Sequence, residues 1–118
     1  MRSFQEFEQI YLCREFVDFR KRINGLVELV SSELNLEVMS KALFLFTNKR
    51  RDQLNILYWD ETGFCLWNKR LEKAKYNWPK RIQSEVIHLS TRDLELLLDG
   101  YDIWKMKPHE SLKFDCVS

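Results

Sequence analysis

The sequence predicts an α+β fold: a mainly antiparallel sheet centred on residues 42–79, one long helix packed on it, and a short C-terminal helix. Three observations carry this. The runs 42–48, 53–60 and 64–70 are crowded with Phe, Ile, Leu, Tyr and Trp, which suit a pleated, half-buried surface. Upstream, Ile23, Leu26, Val27, Val30 and Leu34 recur at helical spacing and draw one apolar stripe. Downstream, Leu94, Leu97 and Leu98 do the same over a shorter length.

Residues 1–9 read as an irregular lead-in and 10–13 (IYLC) as a first short strand. Asp18 is the expected N-cap of a helix over 19–34, because its carboxylate could accept from the first free amides. Gly25 inside that helix costs about 1 kcal/mol relative to Ala, which points to close packing on the sheet. Val27 is placed in the core. A loop over 36–40 leads into the three-stranded meander. Its connections are Lys49-Arg50-Arg51-Asp52 and Asp60-Glu61-Thr62-Gly63, with Gly63 offered as the positive-φ residue of the second turn. Leu54, Ile56 and Tyr58 share one face, and Asn55, Leu57 and Trp59 the other. Phe64 and Leu66 alternate with Cys65 and Trp67. Both faces are apolar, so the sheet is expected to be covered on both sides or to use one side for interaction. Residues 76–78 read as a strand ended by Pro79, and 85–89 as another. Ser90 is the expected N-cap of the helix 91–98, with Asp93 completing a capping box. Gly100 suits the position just past its end. Residues 1–105 are taken as one domain and 106–118 as a loose tail.

A chain of 118 residues with 45% apolar and 14% aromatic residues can bury a real core, which argues against disorder. No apolar run approaches the ~20 residues needed to cross a bilayer. Glu6 and Glu8 stand where a secretion signal needs apolar residues. Cys13, Cys65 and Cys116 form no CxxC pair, so neither a zinc site nor a disulfide framework is indicated. Reduced thiols and a cytoplasmic location are expected. Only His88 and His109 could serve as imidazole bases, and no nucleophile elbow, phosphate loop or HExxH motif is present. Asp18, Asp60 and Asp99 read as a helix cap, a turn residue and a helix-end residue rather than a metal cluster. The sequence therefore predicts no enzyme, no metal and no cofactor.

Charge is the informative property. The net charge is +1, yet residues 41–81 hold ten basic and four acidic residues. Lys49, Arg50 and Arg51 sit on a hairpin tip, and Lys69, Arg70, Lys73, Lys75, Lys80 and Arg81 follow, interleaved with Trp67, Tyr76 and Trp78. Cations on a protruding loop neutralise phosphates and release counterions, and rings beside them stack on unpaired bases.

The order of motifs resembles a known family. Asp18-Phe19-Arg20-Lys21 with Gly25-Leu26 downstream, then the block from Leu43 to Glu72, then Trp78-Pro79, is similar to the TnpB-type accessory protein of insertion sequence 66 elements. The resemblance covers about residues 10–104. Two departures stand out: Asn55 where the family usually has Lys, and Ala74 where it usually has Gly. The resemblance implies a helper of DNA transposition beside a separate transposase. On this reading Arg20, Lys21, Lys49, Arg50, Arg51, Lys69 and Arg70 contact DNA phosphates with little sequence preference. The alternative is a protein–protein adaptor that docks on the transposase through Trp59, Trp67 and Trp78.

Overall fold

The structure, a computed structural model, describes residues 4–79 and 85–106. Five strands form one sheet: β1 (Gln9–Cys13), β2 (Ala42–Thr47), β3 (Gln53–Trp59), β4 (Phe64–Arg70) and β5 (Val86–His88), in the spatial order β4-β3-β2-β1-β5. The meander is as expected: β2–β3 and β3–β4 are antiparallel hairpins, and β5 pairs antiparallel with β1. The exception is β1, which runs parallel to β2, with Ile10 opposite Leu43 and Leu12 opposite Leu45. A parallel pair needs a crossover connection, and residues 14–41 supply it.

All six residues of β2 are buried. On one face Phe44, Phe46 and Leu57 pack with Leu26 and Val30 of the crossover helix. On the other, Leu43, Leu45, Leu54 and Ile56 pack with Leu94, Leu97, Leu98 and Ile103. The alternation read from the sequence holds, and both faces are covered.

The long helix is shorter than its apolar stripe suggests. Helix α1 spans Ile23–Glu28 and continues as a π-helical turn over Leu29–Glu33, closed by the Leu34 amide donating to the Leu29 carbonyl at 3.0 Å. Ser31 Oγ donates to the Val27 carbonyl at 3.0 Å, a back-bond that loosens helical turns. Asp18 is not the N-cap. That position falls to Arg22, whose side chain makes no capping bond. Residues 19–22 are held outside the helix because the Asp18 carboxylate binds its own near neighbour: Oδ1 accepts from the Arg20 amide at 2.9 Å. Val27 is half-buried; the fully buried residues of the stripe are Leu26 and Val30. A Cβ on Gly25 would meet the Lys21 side chain at 3.2 Å, so its close neighbour is a flexible lysine stem rather than the sheet.

Helix α2 (Thr91–Leu98) forms as its ends predict. Ser90 Oγ accepts from the Asp93 amide at 3.0 Å, and Asp93 Oδ2 accepts from the Ser90 amide at 3.3 Å. Gly100, at φ 95°, ends it, with its amide on the Leu97 carbonyl and the Tyr101 amide on the Leu96 carbonyl. A further short helix, α3 (Ile103–Met106), is not legible in the sequence. In the β3–β4 turn the positive φ falls on Glu61, at 54°, and not on Gly63. Residues 76–78 form no strand. They run as an irregular strap with Tyr76 and Trp78 in the core, Trp78 Nε1 donating to the Cys13 carbonyl at 3.2 Å. The expected tail beyond Met106, with His109 and Cys116, lies outside the described residues, as do Lys80 and Arg81.

Because Leu26 is fully buried between α1 and the sheet, Leu26→Ala is expected to cost about 2–5 kcal/mol in urea unfolding. Val27→Ala should cost distinctly less; equal losses would mean that the helix is rotated from the position described.

Candidate nucleic-acid interface

Three separate segments meet at one end of the sheet. The segment leaving β1 passes the end of β2, where the Val17 amide donates to the Thr47 carbonyl at 3.0 Å. The β2–β3 loop begins there. The segment leaving β4 closes against that loop, through the Leu71 amide to the Asp52 carbonyl at 2.7 Å and the Tyr76 amide to the Arg51 carbonyl at 2.6 Å. Between them, residues 17–22, 48–52 and 70–76 carry nine Lys or Arg and three carboxylates. At the opposite end, the turn 60–63 and the segment 37–41 carry Glu37, Lys41, Asp60 and Glu61.

The hairpin tip is a built loop. Asn48 Oδ1 accepts from the Asp52 and Gln53 amides, both at 3.2 Å, and its Nδ2 donates to Asp52 Oδ1 at 2.7 Å. The buried Thr47 hydroxyl donates to the Gln53 carbonyl at 2.8 Å. Arg51 takes a left-handed φ of 61°, which an L-residue holds only when its surroundings enforce it. Lys49 and Arg50 are exposed, and Lys49, Arg50, Arg51, Lys73 and Lys75 make no ion pair among the described residues. The consequence is a group of cations carried on a braced loop and its neighbouring segment, none of them in an ion pair among the described residues.

The other expected contacts divide. Arg20 is tied to Asp18, Nη2 to Oδ2 at 2.6 Å and Nε to the same oxygen at 2.9 Å, with both side chains exposed. These hydrogen bonds, and the Arg20 charge behind them, hold the Asp18 carboxyl down at about 2. Arg70 pairs with Glu72 at 3.0 Å. Lys21 lines an open depression of about 620 Å³ together with Phe19, Arg20, Arg22, Ile23, Asn24 and Leu66. Arg22 lines the same depression; the motif that singled out Arg20 and Lys21 ends one residue before it. Lys69 does not belong. Its Nζ donates to the Leu98 carbonyl at 3.0 Å, where the last carbonyls of α2 lack partners within the helix and a cation is favoured. Asn55 is also withdrawn: it is buried and accepts from Asn68 Nδ2 at 2.7 Å.

The three tryptophans form no common patch. Trp59 is half-buried, edge-on to Phe64 with ring centroids 4.9 Å apart. Trp67 is half-buried on the other face, and Trp78 is a core residue, which removes it as a docking side chain. Among the described residues, the large apolar ones that are exposed are Phe16, Met39 and Tyr101. The sequence did not single these out, since nothing distinguishes them from core residues before the fold is known. Among the described residues no group of three or more His, Cys, Asp or Glu side chains is placed to hold a metal ion, and no helix is long and apolar enough to cross a membrane. Burial pushes the Cys13 thiol up to about 12, so it stays protonated.

Lys69→Ala is expected to lower unfolding stability by about 1 kcal/mol by stripping the end of α2. The same substitution should leave the salt dependence of any DNA binding unchanged, which a phosphate contact would not. The carboxyl of Asp18 should titrate near 2 by NMR and move back toward 3.8 in Arg20→Ala. Because the folded value is depressed, the stability from this pair is present above the ordinary carboxylate range and is lost as pH falls through about 2.

Comparison with known proteins places the chain. No solved structure matches it. It is 28% identical over 97 residues to the uncharacterized protein y4hO of Sinorhizobium fredii (strain NBRC 101917 / NGR234), covering 82% of this chain and 83% of that protein. It is 36% identical over 99 residues to the uncharacterized protein y4jC of the same organism, covering 84% of each. A family model described as "IS66 Orf2 like protein" matches residues 8–108, which span the whole sheet and all three helices. The chain belongs to the IS66 Orf2-like family of transposition-associated accessory proteins.

Proposed function

We propose that this protein is a non-catalytic accessory factor of DNA transposition that holds duplex DNA by its phosphates through the basic end of the sheet, beside a separate transposase. The observation that supports this reading is the convergence of segments 17–22, 48–52 and 70–76 at one end. The contacts are Lys21, Arg22, Lys49, Arg50, Arg51, Lys73 and Lys75, with Arg20 and Arg70 adding charge partly offset by Asp18 and Glu72. Base stacking is not open to Tyr76 and Trp78, which are buried. Phosphate contacts fix position without reading sequence, so element ends and random duplexes bind alike to this protein alone, and specificity comes from the transposase.

Lys49, Arg50 and Arg51 replaced together by Ala should weaken duplex binding and flatten the slope of log affinity against log salt by about one unit for each phosphate no longer neutralised. Thermal stability should hold, because the loop is braced by Asn48 and not by these side chains. A triple variant that binds DNA like the parent at every salt concentration would remove the hairpin from the interface. A parent that ignores DNA even at low salt, yet co-purifies with the transposase, would make the protein an adaptor, with half-buried Trp59 and Trp67 as its docking side chains.

A further inference from the structure

The two edges of the sheet are unlike. One edge, β5, is three residues long, which is how natural sheets commonly avoid unwanted pairing. The other, β4, has seven residues, no proline and no pairing partner among the described residues except β3. The charges that ordinarily guard such an edge are drawn away from it: Lys69 is spent on the Leu98 carbonyl and Arg70 on Glu72. What remains along the strand is Phe64, Cys65, Leu66, Trp67 and Asn68, all neutral.

The register tells which backbone groups face outward. The Asp60 amide donates to the Gly63 carbonyl at 2.8 Å, and the Leu71 amide to the Asp52 carbonyl at 2.7 Å. Both bonds continue the β3–β4 register, in which Gln53 faces Arg70 and Trp59 faces Phe64. Bonded and non-bonded pairs alternate in an antiparallel ladder. Leu54–Lys69, Ile56–Trp67 and Tyr58–Cys65 are therefore the bonded pairs. The N–H and C=O groups of Phe64, Leu66, Asn68 and Arg70 point away from β3 into the open edge.

We propose that β4 is a self-association edge, along which two copies of this chain pair antiparallel about a two-fold axis at Trp67. In that register Phe64 faces Arg70 of the second copy and Leu66 faces Asn68, so every outward group finds a partner and each bonded pair exchanges two hydrogen bonds. On the other face Trp67 meets its own copy and Cys65 faces Lys69. No two like charges stand opposite, and Arg70 lies across from an aromatic ring, a favourable cross-strand pair. This self-complementarity is what selects a second copy as the occupant. The basic ends of the two protomers then point in opposite directions along the strands. The proposal is independent of DNA contact, which the hairpin cations make in a monomer or a dimer.

Light scattering on the full chain, from micromolar to hundreds of micromolar, is expected to give twice the 14.4 kDa of one protomer. Phe64→Lys should set a cation against Arg70 of the second copy and raise the dissociation constant by about tenfold or more. Adding Arg70→Glu to it should restore the dimer. Leu66→Pro, which deletes an outward amide that β3 does not use, should be monomeric with an unchanged far-ultraviolet spectrum, and it serves if Phe64→Lys does not fold. A monomeric parent throughout the range, or folded Phe64→Lys or Leu66→Pro proteins that dimerise as the parent does, would overturn the proposal.

Discussion

Strand β2 has no solvent side. Each of its residues, from Ala42 to Thr47, is buried, and a strand apolar on both faces must be covered on both. That constraint organises the rest of the molecule. The crossover from β1 lays α1 and its π-helical turn on one face, where Leu26 and Val30 meet Phe44, Phe46 and Leu57. The other face is sealed by α2, α3 and the strap through Tyr76 and Trp78. The strap is what makes the second cover continuous, and its two rings need polar anchors in a dry place. Trp78 Nε1 finds the Cys13 carbonyl and the Tyr76 hydroxyl the Lys69 carbonyl at 3.3 Å.

With both faces occupied, charge is displaced to the ends and edges of the sheet. The chain reverses or departs at each end, so loops from distant parts of the sequence share a neighbourhood that no local pattern announces. At one end this gathers nine cations from three segments. Two of them, Arg20 and Arg70, hold local carboxylates, and the neighbouring Lys69 completes a helix terminus. Of the remainder, Lys49, Arg50 and Arg51 stand on a loop that Asn48 and Thr47 hold in one shape. A charged loop already ordered before binding spends less conformational entropy on contact than a flexible one, which is why the tip suits a backbone-reading role.

The motif resemblance and the physical reading converged from different directions. The blocks around Asp18–Lys21, Leu43–Glu72 and Trp78-Pro79 pointed to the family now matched over residues 8–108. The structure adds a physical part for several of those motif residues. Asp18 fixes Arg20 through a chelated guanidinium, and Trp78 locks the strap to the end of β1. Motif residues in this chain thus include structural anchors as well as candidate contacts, and Lys69 shows how a cation in a motif can be wholly absorbed by the fold.

What the sequence by itself determined was the meander, the ends of α2 and the basic tip, each set by neighbours in the chain. The meander followed from period-two alternation, since successive strand residues already face known sides. The ends of α2 followed from Ser90, Asp93 and Gly100, whose side chains or freedom at positive φ act within one turn. The basic tip at Lys49–Arg51 was legible because it is contiguous. Only the tertiary structure decided the rest. The parallel placement of β1 depends on a crossover of nearly thirty residues, for which no local rule chooses a neighbour. Helix α1 lost its first turn because Asp18 bound Arg20 instead of capping, a choice between two local bonds of similar strength that packing settles. Trp78 and Lys69 passed from surface candidates to structural roles for the same reason. An aromatic ring or a long cation carries no mark of whether it will meet solvent, and its fate is set by what the other end of the chain brings to it.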